Sequence, residues 1–403
     1  MLRPNTFALT ALLAALTALG PLSTDLYLPT LPDIGRAFGV PAGQVQMTMY
    51  GYLIGFALGQ VGYGPISDWY GRRSGLVVAL LCYCAGSLIC LLAPSIEVLI
   101  GARVLQAFGG SGAIVLARAV VRDFYSGARA GKELSMMSLV MAFGPISAPL
   151  IGGAFHAVFG WRSAFAVLLL FGAVLSVIVV RKLPETLTDK PEARLSLSSM
   201  LDGYRTLFRI RDFNLFLVLC AATYAGLIVW FTAVAFVYQN QYALTPLMSS
   251  VAMSGSAIGF LIGSSIATRI VVRAGLLRTI GIGAACMVTG SGIACLLMVT
   301  GAQSVVGIVI AVGINLIGLG LVYPQALAGG LSCAAERVGA ASSLLGGIPP
   351  VCAAILGALV AAPAAEQGWP AAAVLLAMAL LIAGAWLALY LLPSRRGASS
   401  GGI

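Results

Sequence analysis

Apolar residues run in long stretches along most of this chain, broken at near-regular intervals by clusters of charge, proline and amide side chains. A helix needs roughly 20 apolar residues to cross the hydrocarbon of a bilayer, and inside it the backbone must satisfy its own hydrogen bonds. Reading the interruptions predicts helices over residues 7–30, 44–66, 74–93, 97–120, 134–157, 161–181, 213–238, 247–271, 278–300, 302–326, 341–364 and 370–392. The predicted fold class is therefore all-α integral membrane, with twelve transmembrane helices in two pseudo-symmetric six-helix bundles. The expected divisions are an N-terminal bundle over 1–181, a central linker over 182–212 and a C-terminal bundle over 213–403. An outer-membrane barrel would alternate apolar and polar residues over segments of about ten, and the uninterrupted run from Ala164 to Val180 has no such dyad. The first apolar run begins at Phe7 and passes Leu16 and Pro21 without a small-x-small cleavage site, so it reads as a span and not as a removed leader.

Composition removes the soluble alternative. Of 403 residues 60% are hydrophobic and 9% charged, more apolar side chain than a packed core hides from water. The net charge of +10 is distributed by side. With the amino terminus inside, Arg3, Arg72, Arg73, Arg118, Arg122, Arg129, Lys132, the seven basic residues from Arg181 to Arg211, Arg269, Arg273, Arg278, Arg337, Arg395 and Arg396 fall on one face, twenty of the 23 in all. Arg36, Arg103 and Arg162 are the exceptions. The basic excess thus reports topology and contact with anionic lipid head groups, and no nucleic-acid partner is expected. The eight cysteines lie in or at the ends of apolar helices without a histidine cluster, so no metal and no disulfide framework is expected. The linker holds Glu185, Asp189, Glu192, Asp202 and Asp212, and within it Leu197 to Phe208 reads either as an amphipathic helix on the membrane surface or as a solvated tether.

Displacing the sequence by 204 residues superimposes Gly51, Gly55 and Gly59 on Gly255, Gly259 and Gly263, and also Gly71 on Gly275, Gly86 on Gly290, Gly109 on Gly313, Gly153 on Gly357 and Pro145 on Pro349. The two halves read as a duplication, with the GxxxGxxxG stripes of the second and eighth helices as close-packing seams.

Three constellations carry chemistry. The loop between the second and third helices reads Gly64-Pro-Ile-Ser-Asp68-Trp-Tyr-Gly71-Arg72-Arg73. The fifth helix carries Gly144, Pro145, Pro149, Gly152 and Gly153, followed by Trp161-Arg162-Ser-Ala-Phe165. The first helix ends in Asp25-Leu-Tyr27-Leu-Pro29-Thr-Leu-Pro32, and the fourth contains Arg103-Val-Leu-Gln106-Ala-Phe-Gly109 and ends in Arg118-Ala-Val-Val-Arg122-Asp123. A carboxylate costs roughly 2.5–3.5 kcal/mol at the centre of a span and survives mainly where it lines a cavity or exchanges a proton. Asp25 is the acidic residue that falls within a predicted span, and Arg103 the basic one; each lies a few residues in from the same end of its helix, so the two are expected to face one another. Gln46, Tyr50, Gln106, Tyr224, Trp230 and Asn315, with Tyr27, are the aromatic and amide candidates for a substrate cavity. His156, the single histidine, reads as an interfacial residue.

The loop resembles the G-x-x-x-D-x-x-G-R-K/R signature of the major facilitator superfamily. The fifth helix resembles that superfamily's antiporter signature, and the first and fourth resemble the Bcr/CflA branch of drug:proton antiporters. The fourth helix departs from R-x-x-Q-G-x-G at Ala107, and Thr17 stands where some relatives have a second acidic residue. The resemblance implies a monomeric carrier of the bacterial cytoplasmic membrane with both termini inside, exchanging small, largely apolar drugs of the amphenicol or bicyclomycin kind for protons. It implies Asp68, Arg72 and Arg73 as a conformational latch. Asp25 is expected to bind proton and substrate, with Arg103 as its modulator. Exporters of an endogenous sugar or amino acid, and a non-transporting membrane sensor, are the alternatives. No enzyme activity and no cofactor are expected, since no G-x-x-x-x-G-K-S/T phosphate loop is present.

Overall fold

A computed structural model describes residues 6–125, 127–187, 197–301, 304–334 and 337–392. Nearly all of them are helical, in α1 (Phe7–Asp25), α2 (Leu31–Phe38), α3 (Ala42–Tyr70), α4 (Arg72–Leu92), α5 (Ile96–Phe124), α6 (Gly127–Phe159), α7 (Arg162–Lys182), α8 (Leu197–Phe208), α9 (Arg211–Phe236), α10 (Pro246–Ala274), α11 (Leu276–Val299), α12 (Val305–Ser332), α13 (Val338–Gln367) and α14 (Trp369–Leu391). A 3₁₀ turn, Leu28–Thr30, joins α1 to α2, and a π turn, Val237–Gln241, extends α9. The fold is all-helical with twelve spans, as the apolar pattern predicts. Among the described residues, eleven segments are long and apolar enough to cross a membrane by length and composition. The remaining span, α3, is 29 residues long but diluted by Gln44, Gln46, Gln60, four tyrosines and its glycine stripe.

The first span is longer than the prolines at 29 and 32 suggest. Both sit in the first turn of a new helical segment, where the missing N–H costs nothing. The chain breaks after Asp25 and runs on to Phe38, where Gly39 closes α2 in the left-handed conformation (φ 66°) with its N–H on the Gly35 carbonyl.

By contacts the chain divides into two compact units. One holds the described residues within Met1–Leu195 together with Phe231–Ser254 and Ala354–Gln367; the other holds those within Ser196–Trp230, Gly255–Ala353 and Gly368–Ile403. The first is centred on Tyr27, Tyr52, Tyr63, Tyr83, Phe165 and the side chain of Arg103, all fully buried. The second is centred on Phe213, Phe216, Leu345 and Ile382 and takes in Leu207 of α8. The linker segment Leu197–Phe208 is thus a helix whose Leu207 enters a core, and the Asp202 carbonyl accepts from Arg337 at 3.2 Å.

Lipid is as apolar as leucine, so helices associate through close packing more than through escape from water. The glycine stripes supply that packing. A Cβ on Gly55 would enter the backbone of Val104, and one on Gly59 would lie 2.8 Å from the Phe108 carbonyl. Gly259 and Gly263 meet the backbones of Gly313 and Ile317 in the same way. Gly86 packs on Gln106 and Gly290 on Asn315. These contacts confirm the duplication and correct its register: α3 and α4 repeat in α10 and α11 after 204 residues, but α5 repeats in α12 after 209. The structural counterpart of Gly109 is Gly318, not Gly313, because α11 is three residues longer than α4 and the connection after it two residues longer. Gly71 (φ 94°) and Gly275 (φ 79°) turn the chain at equivalent points, as do Gly39 and Ala243 (φ 51°).

Candidate functional site

Arg103 lies two turns into α5, which starts on a cap in which Ser95 Oγ accepts the Val98 amide. Its side chain is wholly buried. Nη1 donates to the Ser23 carbonyl at 3.0 Å and to Gln106 Oε1 at 2.6 Å. The guanidinium carbon stands 4.5 Å from the ring centre of Tyr27 and 4.2 Å from that of Tyr52, with Phe165 at 5.9 Å. Two aromatic faces thus stand where a counter-ion would be. The partners are themselves fixed. Gln106 Nε2 donates to Ser87 Oγ at 2.8 Å, Tyr27 shares a 2.5 Å hydrogen bond with Thr48, and Tyr83 shares one of 2.7 Å with Ser23. The counterpart of Arg103 in the second repeat is Val312, so this cation belongs to one half alone.

Asp25 is the last residue of α1 and is half-buried. The Thr24 hydroxyl lies 2.9 Å from Asp25 Oδ1 and 2.9 Å from the Pro21 carbonyl, so its single hydrogen serves one of them at a time. No ion pair joins Asp25 to Arg103 or to any other cation among the described residues. The two predicted partners are therefore not paired: the guanidinium is taken by the carbonyl of Ser23, two residues before Asp25 on α1.

The far wall beside Asp25 is α6, and its motif residues are contact points. A Cβ on Gly144 would lie 2.9 Å from Pro21 Cβ and 3.9 Å from Asp25 Oδ2. Gly152 brings the α6 backbone onto that of Leu26, and Gly153 brings it onto Ser250 and the Pro246 carbonyl at the start of α10. Pro145 and Pro149 are carried inside the helix. Each removes one N–H and frees the carbonyl four residues back.

At the arginine-rich end, Gly71 turns the chain from α3 to α4. Arg72 Nε donates to Asp123 at 3.1 Å and its Nη1 to Ser67 at 2.6 Å, and Arg73 donates to the Val180 carbonyl at 2.5 Å. Glu185 accepts the amides of Arg72 at 2.8 Å and Arg73 at 3.2 Å, closing the positive end of α4 with a carboxylate. Gly64 has open space around it. The side chain of Asp68 lies outside the described residues, and its partner with it.

The remaining candidates separate. Tyr50 donates to Gln46 at 3.0 Å and approaches Thr232 at 3.3 Å, with Gly357 packed on its ring, while Gln46 Nε2 is buried without a partner among the described residues. Asn315 is spent on the Met287 carbonyl at 3.2 Å, in the seam between α11 and α12. Tyr224 is half-buried and Trp230 buried on α9. Two features escaped the sequence reading. Glu133, nearly fully buried on α6, takes Thr10 at 2.6 Å and Arg129 at 2.8 Å. His156 is buried too and pairs with Asp33 of α2. Both follow from helices longer than expected: α6 reaches back past residue 134, and the first span continues past residue 30.

Residues 13–348 match the family model of the Major Facilitator Superfamily. The chain is 31% identical to an uncharacterized transporter of that type from Bacillus subtilis (strain 168), covering 88% of each. It is 28% identical to Multidrug resistance protein D of Escherichia coli (strain K12), over 98% of this chain and 99% of that one. To a chloramphenicol resistance protein of Pseudomonas aeruginosa it is 28% identical over 93% and 88%. Among solved structures, the xylose transporter XylE from E. coli, in a partially occluded inward-open conformation, superimposes with a TM-score of 0.76 at 13% identity, over 97% of this chain and 98% of that one.

Proposed function

The chain belongs to the Major Facilitator Superfamily, and from that premise we propose that it exports small, largely apolar drugs of the amphenicol or bicyclomycin kind from a bacterial cytoplasm in exchange for protons. The single observation that carries the reading is the setting of Asp25, a carboxylate within a span that pairs with no cation among the described residues, while the fully buried Arg103 is held by the Ser23 carbonyl and the Tyr27 and Tyr52 rings instead. A carboxylate so placed is free to trade its proton for a ligand without breaking a fixed ion pair. Two of the relatives carry drug resistance in their names, which supports a drug as the cargo.

In the cycle we propose, the halves 1–181 and 213–403 are the moving bodies, the arginine-rich loops face the cytoplasm, and the lipid bilayer is the matrix. Asp25 gives up its proton as drug enters and takes another once the outer side opens. Arg103 sets the charge around Asp25 through Ser23 and the Tyr27–Tyr52 cage. The glycine seam of α6 against Leu26 and Ser250 parts and closes by backbone contact, without side-chain repacking. The loop of Gly64, Asp68, Gly71, Arg72 and Arg73 holds the inner side closed in the outward-facing state.

Expression in a bacterium lacking its own drug exporters tests this. Tolerance of chloramphenicol or bicyclomycin is expected to rise several-fold with the wild type and to stay at background with Asp25→Asn present at equal amount in the membrane. No gain from the wild type at full expression would remove drug export and leave an endogenous metabolite as cargo.

A further inference from the structure

We infer that Asp33 and His156 form a second proton-binding site of the carrier, at the end of the α1–α6 seam remote from the arginine-rich loops. Its place in the transport cycle rests on the antiport reading above; the site itself rests on geometry.

His156 is the only histidine of the chain. It is 6% exposed, near the end of α6, with Nε2 against Asp33 Oδ2 and Nδ1 buried without a partner among the described residues. Asp33 Oδ1 is held by Arg36. The Asp33 side chain is about one quarter exposed and that of Arg36 largely so, which gives the pair a wet side and a dry side. With Nε2–H donated to Asp33, the lone pair on Nδ1 faces the interior and has nothing to accept from, a condition buried polar atoms rarely meet without a function. An imidazole binds a proton at one nitrogen while holding its orientation with the other, and it changes charge across physiological pH. When Nδ1 takes a proton, the resulting cation is balanced by the carboxylate already in contact with Nε2; when the proton leaves, the neutral imidazole stays hydrogen-bonded through Nε2 to the carboxylate, whose remaining charge is shared with Arg36.

The other charged groups at this end are engaged elsewhere. Arg162, at the start of α7, donates to the carbonyls of Leu91 and Ala93 and stacks on Trp161. Glu97 of α5 takes Gln44 at 3.2 Å. Glu366 at the end of α13 is exposed, and the start of α10, which packs on Gly153, brings serines and no charge. From His156 the helix runs back through Gly153, Gly152 and Pro149 to Gly144 beside Asp25, twelve residues or about 18 Å. That span is too long for one transfer; of the carbonyls freed by the two prolines, the one four residues before Pro149 falls within it, at the Asp25 end, where it is an anchor point for water. The pair thus stands where protons from outside would be collected before reaching Asp25.

One histidine makes the test clean. Protein carrying isotope-labelled histidine and a histidine-free tag gives one imidazole signal. In the wild type that signal is expected to show proton uptake at the imidazole as the pH is lowered. Asp33→Asn is expected to displace the midpoint, and Asp25→Asn to leave it in place. In proteoliposomes, His156→Gln is expected to slow drug transport driven by a pH gradient several-fold while leaving drug binding and drug-for-drug exchange at wild-type levels; His156→Asn and a thermal melt of each variant separate this from misfolding. An imidazole that stays neutral over the whole range, or gradient-driven transport unchanged in a folded His156→Gln protein, would overturn the inference. A titrating imidazole in a wild type that shows no gradient-driven drug flux would leave the site standing and remove the antiport reading.

Discussion

Arg103 donates to the carbonyl of Ser23 at 3.0 Å, two residues short of Asp25, and pairs with no carboxylate among the described residues. The arrangement ties a permanent cation to the backbone of the helix that ends in Asp25 while leaving that carboxylate without an ion pair among the described residues. Arginine holds its proton under any physiological condition, so its charge at this point is fixed and the acid beside it is the variable partner. The flat guanidinium suits this place because it lies between two tyrosine rings, which an ammonium does less well.

Arg103→Lys is therefore not a conservative change here. It loses the Tyr27–Tyr52 sandwich and leaves Gln106 without its donor, and a stability loss of about 1–3 kcal/mol is expected in detergent. Chemical or thermal unfolding against the wild type measures it. A lysine variant as stable as the wild type would show that the aromatic cage does not hold the cation.

The motif glycines differ in what they do. Gly152→Ala drives a methyl into the Leu26 backbone, 3.0 Å from its Cα, and is expected to cost about 1–3 kcal/mol. Gly64→Ala meets nothing within 4 Å and is expected to fold as well as the wild type. Melting temperatures of the two side by side check the contrast; equal losses would contradict it.

Glu185 closes the exposed end of α4 through the amides of Arg72 and Arg73. Its neutral amide variant, Glu185→Gln, is expected to lose about 0.5–1 kcal/mol, an effect that shrinks as salt is raised because the site is open to solvent. A loss independent of ionic strength would point to packing instead of charge.

Ala243 turns the chain left-handed at φ 51°, 204 residues after Gly39 does so at φ 66°. An L side chain pays roughly 1–2 kcal/mol there and glycine gives part of that back as chain entropy, so Ala243→Gly is expected to stabilise by about 0.5–1 kcal/mol. Unfolding midpoints decide it, and a destabilised glycine variant would count against the turn geometry.

Much of this was legible in the sequence, and the reasons differ residue by residue. The spans were legible because apolar length is dictated by the bilayer, and the seams of Gly55, Gly59, Gly259 and Gly263 because only small residues let backbones meet. The five-residue slip between α5 and α12 was not, since Gly109 and Gly313 match by letter while the contacts pair Gly109 with Gly318. Glu185 read as one more acid of the linker; the Arg72 and Arg73 amides it accepts are more than a hundred residues away. Asp33 and His156 were hidden by Pro29 and Pro32, which end a helix when read alone and start one here. The depth of Asp25 and Arg103 in their helices was legible, but the Ser23 carbonyl that takes the guanidinium depends on side-chain packing that no spacing encodes.

The most direct measurement of the account is proton release from detergent-purified protein when drug is added at fixed pH. The wild type is expected to release protons on binding chloramphenicol or a bicyclomycin-like compound, and Asp25→Asn to bind drug with no release. Equal release from both proteins, or binding by the wild type without release, would contradict Asp25 as the group at which drug and proton compete.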